Sequence, residues 1–201
     1  MIGFFREHQN LAAFIIMAAV AVLFFHPLLA RISTHILTDG AFIPDGFSDA
    51  YNFLWSYWWF QKAFASGKNL FLCDWIYPPD GENLLFHTHI FLPSILSIPI
   101  SRVIGTIPAF NLTILTMLVL AAFSYYLFVR NTFGTSFYAA VVAGLMFGFS
   151  PYFLFKAHSH LNLVGACFWG SCLGILIHAY VRNAFSIRAA IACSLFFWAT
   201  F

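Results

Sequence analysis

The chain has 201 residues, of which 62% are hydrophobic and only 8% are charged. So few charged side chains cannot cover the surface of a soluble domain of this size, which excludes most soluble enzyme classes. The net charge of +2 is too small and too scattered for a nucleic-acid-binding surface. We therefore predict an all-α, polytopic transmembrane protein that forms a single module over residues 1–201.

The first hydrophobic segment, residues 11–30, is long enough to cross the roughly 30 Å hydrocarbon layer of a bilayer as a helix. This run is longer than that of a cleaved signal peptide, and the LLARIS sequence after it lacks a small-x-small cleavage pattern. Residues 1–31 are therefore predicted to form a retained signal-anchor helix, with its N-terminus in the cytoplasm.

Residues 32–89 contain six of the seven acidic residues and are predicted to form one long outer loop. Within it, Ser48 can cap a helix that Gly67 ends, so a helix is expected over residues 49–66. Tryptophan and tyrosine favour the headgroup zone, and this helix is rich in both. We expect a juxtamembrane helix lying along the membrane surface, with packing of its rings under the loop as the alternative.

Residues 90–201 are predicted to hold the remaining transmembrane helices. Their apolar windows are residues 109–129, 136–154 and 162–181, and a last segment begins near residue 187. The segment 90–107 carries two prolines and is read either as a full crossing or as a re-entrant element.

The charges near the span ends favour the re-entrant alternative. Basic residues tend to lie on the cytoplasmic side, and a re-entrant 90–107 segment places most of them there, although Arg102 counts against it. The same choice puts residues 149–162 outside, facing the acidic loop. The basic residues that become cytoplasmic are Arg6, Arg130, Arg182 and Arg188.

Asp49 is the first candidate for chemistry. A carboxylate at a helix start beside a membrane can act as a general base on an acceptor hydroxyl, while the alternative role is to complement the helix dipole. Lys156, His158 and His160 suit a lipid phosphate because they are cationic or can become so. His87 and His89 form a second such pair. The pattern predicts no metal site, and a divalent cation is left open as a cofactor.

Three segments together resemble the GT-C membrane glycosyltransferases, most of all bacterial proteins related to the protein mannosyltransferases. In these, an acid begins an aromatic helix in the first outer loop, a Tyr-Pro-x-Gly-x-Asn-Leu-Leu segment follows, and Phe-Ser-Pro-Tyr and Gly-His-Leu-Asn-Leu come later. Ser48 and Ser159 stand where the family has glycine. The matching residues here are Ser48, Asp49, Tyr51, Trp55, Trp58, Trp59, residues 77–85, residues 149–152 and residues 160–163.

The resemblance implies that Asp49 is the catalytic base and that a sugar is transferred, with inversion, from a polyprenyl-phosphate donor on the outer face of the plasma (inner) membrane. Tyr51 and Asp80 lie in the matching motifs and join the Lys and His residues as candidate substrate-binding groups. GT-C proteins usually have many more spans, so 201 residues match the N-terminal portion. The alternative is a shortened, non-catalytic structural subunit whose partners are other membrane proteins.

Overall fold

The computed structural model describes residues 2–38, 48–165, 167–183 and 186–198. These residues are mostly helical, as predicted, and their two strands form one short hairpin. Pro44 and Gly46, whose residue types predict a turn before the helix expected over residues 49–66, lie outside the described residues. The helices are α1 Ile2–Phe24, α2 His26–Leu29, α3 Asp49–Ala65, α4 Phe91–Leu96, α5 Ile98–Ile104, α6 Thr106–Phe133, α7 Phe137–Gly148, α8 Pro151–Lys156, α9 Leu161–Gly165, α10 Cys167–Val181 and α11 Ile187–Trp198.

Three helical stretches within the described ranges are long and apolar enough to cross a membrane: Glu7–Phe24, Thr106–Phe133 and Phe137–Lys156. The first of them leaves many apolar side chains exposed, Leu11 and Ile15 among them, as a helix surrounded by lipid does. The helices α10 and α11, with 15 and 12 residues, are shorter than a typical crossing. The fold is therefore that of a helical protein compatible with a membrane.

The segment 90–107 does not form one continuous helix. It is divided at Ser97 into α4, with six residues, and α5, with seven, and Pro99 lies in the first turn of α5. Proline is tolerated at that position because the amide it lacks would have no helical partner there. Neither helix is long enough to cross a bilayer alone.

The helices α6 and α7 pack so closely that only glycine fits at their contact. A Cβ atom added to Gly148 would lie 2.5 Å from the backbone nitrogen of Ala122. A Cβ atom added to Gly144 would lie 2.5 Å from the carbonyl oxygen of Ala122. Small residues of this kind let two backbones approach within membranes, where lipid removes the hydrophobic drive for association. The helix α6 also packs against α1 and α10, so it forms the centre of the bundle.

The bundle has two chemically different ends. At one, which we call the Arg130 end, Arg130 donates to Gln9 of α1, and Arg182 donates to the carbonyl of Asn131 over 3.2 Å. At the other, the Asn111 end, the buried amide of Asn111 donates to the carbonyls of Ile32 and His35 at 2.9 and 2.8 Å. The helices α1 and α6 are therefore antiparallel, and the predicted outer loop leaves α1 at the Asn111 end.

The helix α3 has nearly the predicted bounds, with Ser48 as its N-cap and Gly67 just beyond its end. Half of its eight aromatic rings, however, are buried within the protein. The prediction that they anchor the helix in the headgroup zone is wrong for four of them, because residues at three- and four-residue steps turn one broad face inward. The four buried rings, each at most 1% exposed, are Phe53, Tyr57, Trp59 and Phe60.

Those buried rings belong to two cores. Tyr57 packs edge-on against Phe110 at the start of α6, with 5.3 Å between ring centroids, and so joins the main core of the bundle. Trp59 belongs to a smaller core beside Cys73 and Leu84, and its Nε1 donates to the carbonyl of Leu70 at 3.0 Å. The helix α3 therefore ties the loop to the Asn111 end, as the alternative prediction of rings packed under the loop required.

A short hairpin covers the smaller core. Its strands are β1 Leu72–Cys73 and β2 Glu82–Asn83, which pair antiparallel with Leu72 opposite Asn83. The turn between them contains Asp80 and ends at Gly81, where an added Cβ would lie 2.9 Å from the carbonyl oxygen of Cys73. Glycine at this position lets the two strands approach each other.

Candidate functional site

Asp49 begins the helix α3 at the Asn111 end. The Ser48 hydroxyl accepts from the amide of Ala50 at 3.3 Å, and this cap fixes where the helix starts. The Asp49 side chain is 63% exposed, so solvent or a substrate can reach it. Its place in the first turn also complements the positive end of the helix dipole, so the dipole role predicted as the alternative is met by the same geometry.

The second part of the site is the turn between α8 and α9. The amide of Ala157 donates to the carbonyl of Phe153, and the amide of His160 donates to that of Lys156, both over 2.9 Å. In this turn the side chains alternate, with Ala157 and Ser159 buried and His158 and His160 half-buried. The buried members hold the turn against the bundle, which leaves the histidines at its surface.

These two parts meet through a contact between an imidazole and a carboxylate. Nε2 of His160 lies 3.5 Å from Oδ2 of Asp49, and the two side chains are 41% and 63% exposed. The separation exceeds that of a normal hydrogen bond, so the contact is loose and open to a ligand. We call Asp49 and His160 the dyad. It joins two segments far apart in sequence, as expected from the prediction that residues 149–162 face the acidic loop.

A carboxylate beside an imidazole can accept, hold and pass on a proton. The dyad lies at the surface of the bundle, where both side chains are partly exposed. This arrangement suits acid–base chemistry on a hydroxyl group.

The other predicted residues of this region lie outside the dyad's described contacts. Nδ1 of His158 donates to the carbonyl of Leu154 at 2.7 Å, so this ring is held within its own turn. The Lys156 ammonium lies 5.4 Å from the ring centroid of Phe155. Tyr51 follows Asp49 in the first turn of α3 and is exposed. Lys156 and Tyr51 are close to the dyad in sequence and remain candidate binding groups.

The predicted pair His87 and His89 is divided between two environments. His87 is exposed, with Nε2 3.7 Å from Oε1 of Glu82. Both ring nitrogens of His89 are buried and have no hydrogen-bond partner among the described residues. Its ring packs against those of Phe60 and Phe71, at centroid distances of 5.1 and 5.9 Å. The two histidines therefore do not face one ligand together.

This burial has an electrostatic effect. Burial lowers the pKa of His89, and the nearby His87 lowers it further. A ring that stays neutral and whose nitrogens do not reach the surface is a poor ligand for phosphate, so we do not include His89 in the site. Asp80 lies exposed in the hairpin turn, and the described contacts do not join it to the dyad.

Among the described residues, no group of three or more His, Cys, Asp or Glu side chains is placed to hold a metal ion. The dyad supplies two such side chains, and a protein metal site generally needs three or four ligands.

One residue of the site had no role in the sequence analysis. Ser159 is fully buried, and its Oγ lies 2.7 Å from Nδ1 of His160. The only sign of its role in the sequence was that Ser159 stands where the GT-C family, which the chain resembles, has glycine. Comparisons with protein-family models, curated proteins and solved structures found no match, so the chemistry of the site is argued from its residues.

Proposed function

We propose that this protein is a membrane glycosyltransferase, or the N-terminal module of one, that transfers a sugar from a polyprenyl-phosphate donor at the outer face of the plasma membrane. The observation that carries the proposal is the dyad: an exposed carboxylate and an imidazole at the same end of a bundle of membrane-length helices. A lipid-linked donor is an appropriate substrate for a site held at the end of such helices.

In the proposed reaction, Asp49 is the general base. The acceptor hydroxyl gives its proton to the Asp49 carboxylate as its oxygen forms a bond to the anomeric carbon of the sugar. The bond from that carbon to the phosphate oxygen breaks, and the polyprenyl phosphate leaves with the electron pair. Attack from the side opposite the leaving group inverts the anomeric centre.

His160 has two tasks in this proposal. As a neutral or charged ring it lies beside Asp49 and keeps the carboxylate oriented, and when protonated it adds a positive charge near the departing phosphate. The dyad is loose enough for an acceptor hydroxyl to enter beside Oδ2. Lys156 and Tyr51 are proposed to contact the donor from the same side.

The proposal is tested with the Asp49→Asn variant in membranes from cells that express the full natural reading frame. Transfer of radiolabelled sugar is measured with a panel of polyprenyl-phosphate donors. Asparagine keeps the shape of the side chain and can no longer take up the proton, so we expect the rate to fall about 100- to 10,000-fold. Full activity in this variant would refute the role of Asp49 as the base.

Asp74→Asn is the matched control. Asp74 belongs to the same outer loop and pairs with Lys68 at 2.6 Å, with both side chains largely exposed. Exposed ion pairs of this kind contribute little to stability, so the control should retain transfer. Equal loss in both variants would show a general dependence on loop charge and would also count against the proposal.

A further inference from the structure

The hydrogen bond between Ser159 and His160 constrains how the dyad works. Ser159 is 0% exposed, and its Oγ lies 2.7 Å from Nδ1 of His160. The opposite ring nitrogen, Nε2, faces Asp49 at 3.5 Å. Serine, histidine and aspartate thus follow one another in a line, with the imidazole between the two oxygen atoms.

This line is not a nucleophilic triad. A serine nucleophile must reach the substrate, whereas Ser159 is enclosed by the protein, and its neighbours Ala157 and Leu161 are each 1% exposed. The accessible member of the line is the Asp49 carboxylate at the other end. The serine must therefore act through the histidine.

A hydroxyl at this point suits both protonation states of the ring, because it can donate and accept. With a neutral ring, the Ser159 hydroxyl donates to Nδ1, so the proton of the imidazole is on Nε2 and points at the Asp49 carboxylate. With a charged ring, Nδ1 donates to the Ser159 oxygen and Nε2 still presents a proton to Asp49. In the remaining neutral form, Nδ1–H would donate to the Ser159 oxygen and leave the buried hydroxyl proton without an acceptor among the described contacts, while a bare nitrogen lone pair would face the carboxylate.

We infer that Ser159 is a positioning residue that fixes the ring orientation and the neutral tautomer of His160, so that Nε2–H always faces Asp49. A glycine or alanine at position 159 cannot do this, since neither has a hydroxyl. The inference rests on the proposed function for its catalytic meaning, while the tautomer itself can be measured without any activity.

The test uses the 201-residue chain in lipid nanodiscs with ¹⁵N-labelled histidine. The signals of His160 are assigned as those lost in His160→Gln, and the ¹⁵N shifts of its neutral ring give the ratio of the two tautomers. The Nε2–H form should dominate in the unaltered chain. In Ser159→Ala we expect its ratio to the Nδ1–H form to fall about 2- to 10-fold, as the loss of one hydrogen bond implies.

Ser150→Ala is the matched control. The Ser150 hydroxyl accepts from the amide of Phe153 at 3.4 Å in the same segment, but it caps α8 and does not contact a histidine. It should leave the His160 tautomer unchanged. An unchanged ratio in Ser159→Ala, or an equal change in both variants, would overturn the inference. Thermal unfolding of each variant checks that the change is not a loss of fold.

The transfer assay separates this inference from the proposed function. If both are right, Asp49→Asn abolishes transfer and Ser159→Ala lowers it about 2- to 10-fold. If Asp49→Asn keeps full activity, the proposed function fails, and the tautomer ratio still tests the position of the ring. If Ser159→Ala shifts the tautomer and leaves transfer unchanged, the serine has no part in the reaction.

Discussion

At the scale of single residues, the two histidines of the turn after α8 have different tasks. His160 contacts Asp49, whereas His158 is held by a carbonyl of its own turn. We expect His160→Gln to lower sugar transfer about 10- to 100-fold, because the residue beside the proposed base is lost. His158→Gln is the control and should change transfer little, since its ring nitrogen serves the local backbone. The rates are compared in the same membrane assay, and equal losses would contradict the assignment.

His89 gives a second prediction, on stability. Its unpaired buried nitrogens cost free energy in the folded state, so His89→Phe should raise the free energy of unfolding by about 1 kcal/mol. The pKa of His89 is lowered below its ordinary value of 6.5. As the pH falls below about 6.5, the unfolded chain binds a proton at His89 that the folded protein does not, so the free energy of unfolding decreases below that pH and is unaffected by this titration above it.

The free energy of unfolding of the His89 variant is measured by detergent-induced unfolding at neutral and at mildly acidic pH. On acidification, the stability of His89→Phe should decrease less than that of the unaltered chain. His87→Gln is the control, because His87 is exposed, and it should leave the stability at neutral pH nearly unchanged. A larger acid sensitivity in His89→Phe would refute the prediction.

The sequence predicted the position of Asp49 because a local signal, the Ser48 cap, determines where α3 starts. It did not predict the burial of Ser159 or of His89. Both depend on contacts between segments distant in the chain, and a histidine in a loop gives no local sign of whether its ring is buried.

At the scale of elements, the contact of α6 with α7 gives a third prediction. Replacing glycine by alanine normally favours a helix by about 1 kcal/mol. At Gly148 the added Cβ meets the backbone of Ala122, which cannot move without displacing α6. We therefore expect Gly148→Ala to destabilise the protein by about 1 to 3 kcal/mol, as overpacking does.

Detergent-induced unfolding measures this effect. Val142→Ile on the exposed side of α7 is the control, because it adds one carbon atom where nothing crowds it, and its stability should be unchanged. A Gly148→Ala variant as stable as the unaltered chain would mean that the two helices are farther apart than described.

The elements themselves were largely predictable, since hydrophobic runs and the cap and turn residues are local signals. Two features were not. The predicted span 136–154 is divided at Phe149, and α8 begins with its own cap, Ser150, followed by Pro151. The rings of α3 were predicted to lie among the headgroups, because the sequence of an aromatic helix face is the same whether lipid or protein covers it. Whether protein covers these rings depends on how α6 and the hairpin pack against α3.

At the scale of the whole molecule, the two ends of the bundle give a fourth prediction. The proposed orientation puts the hairpin outside and the Arg130 end in the cytoplasm. Phe86, in the one-turn helix after the hairpin, and Phe133, at the end of α6, are 91% and 59% exposed. A cysteine at position 86 should react with a membrane-impermeant maleimide in spheroplasts, and a cysteine at position 133 only after the membrane is opened.

This labelling is done in a chain whose four native cysteines are replaced, so that each reaction reports one position. Because both variants replace phenylalanine by cysteine, the comparison is matched in chemistry. Reaction of both positions from the outside, or of position 133 alone, would reject the proposed orientation.

The dyad also constrains how the protein is made. Two helical stretches between Asp49 and His160 are long enough to cross a membrane. The first is α6, and the second is α7 together with α8. Two crossings return the chain to the side from which it started, whereas one crossing does not. If either helix failed to insert during synthesis, His160 would be delivered to the opposite side of the bilayer from Asp49. In the proposed membrane arrangement, a nascent chain can therefore assemble the dyad only after an even number of crossings, so incorrectly inserted copies would lack the paired site.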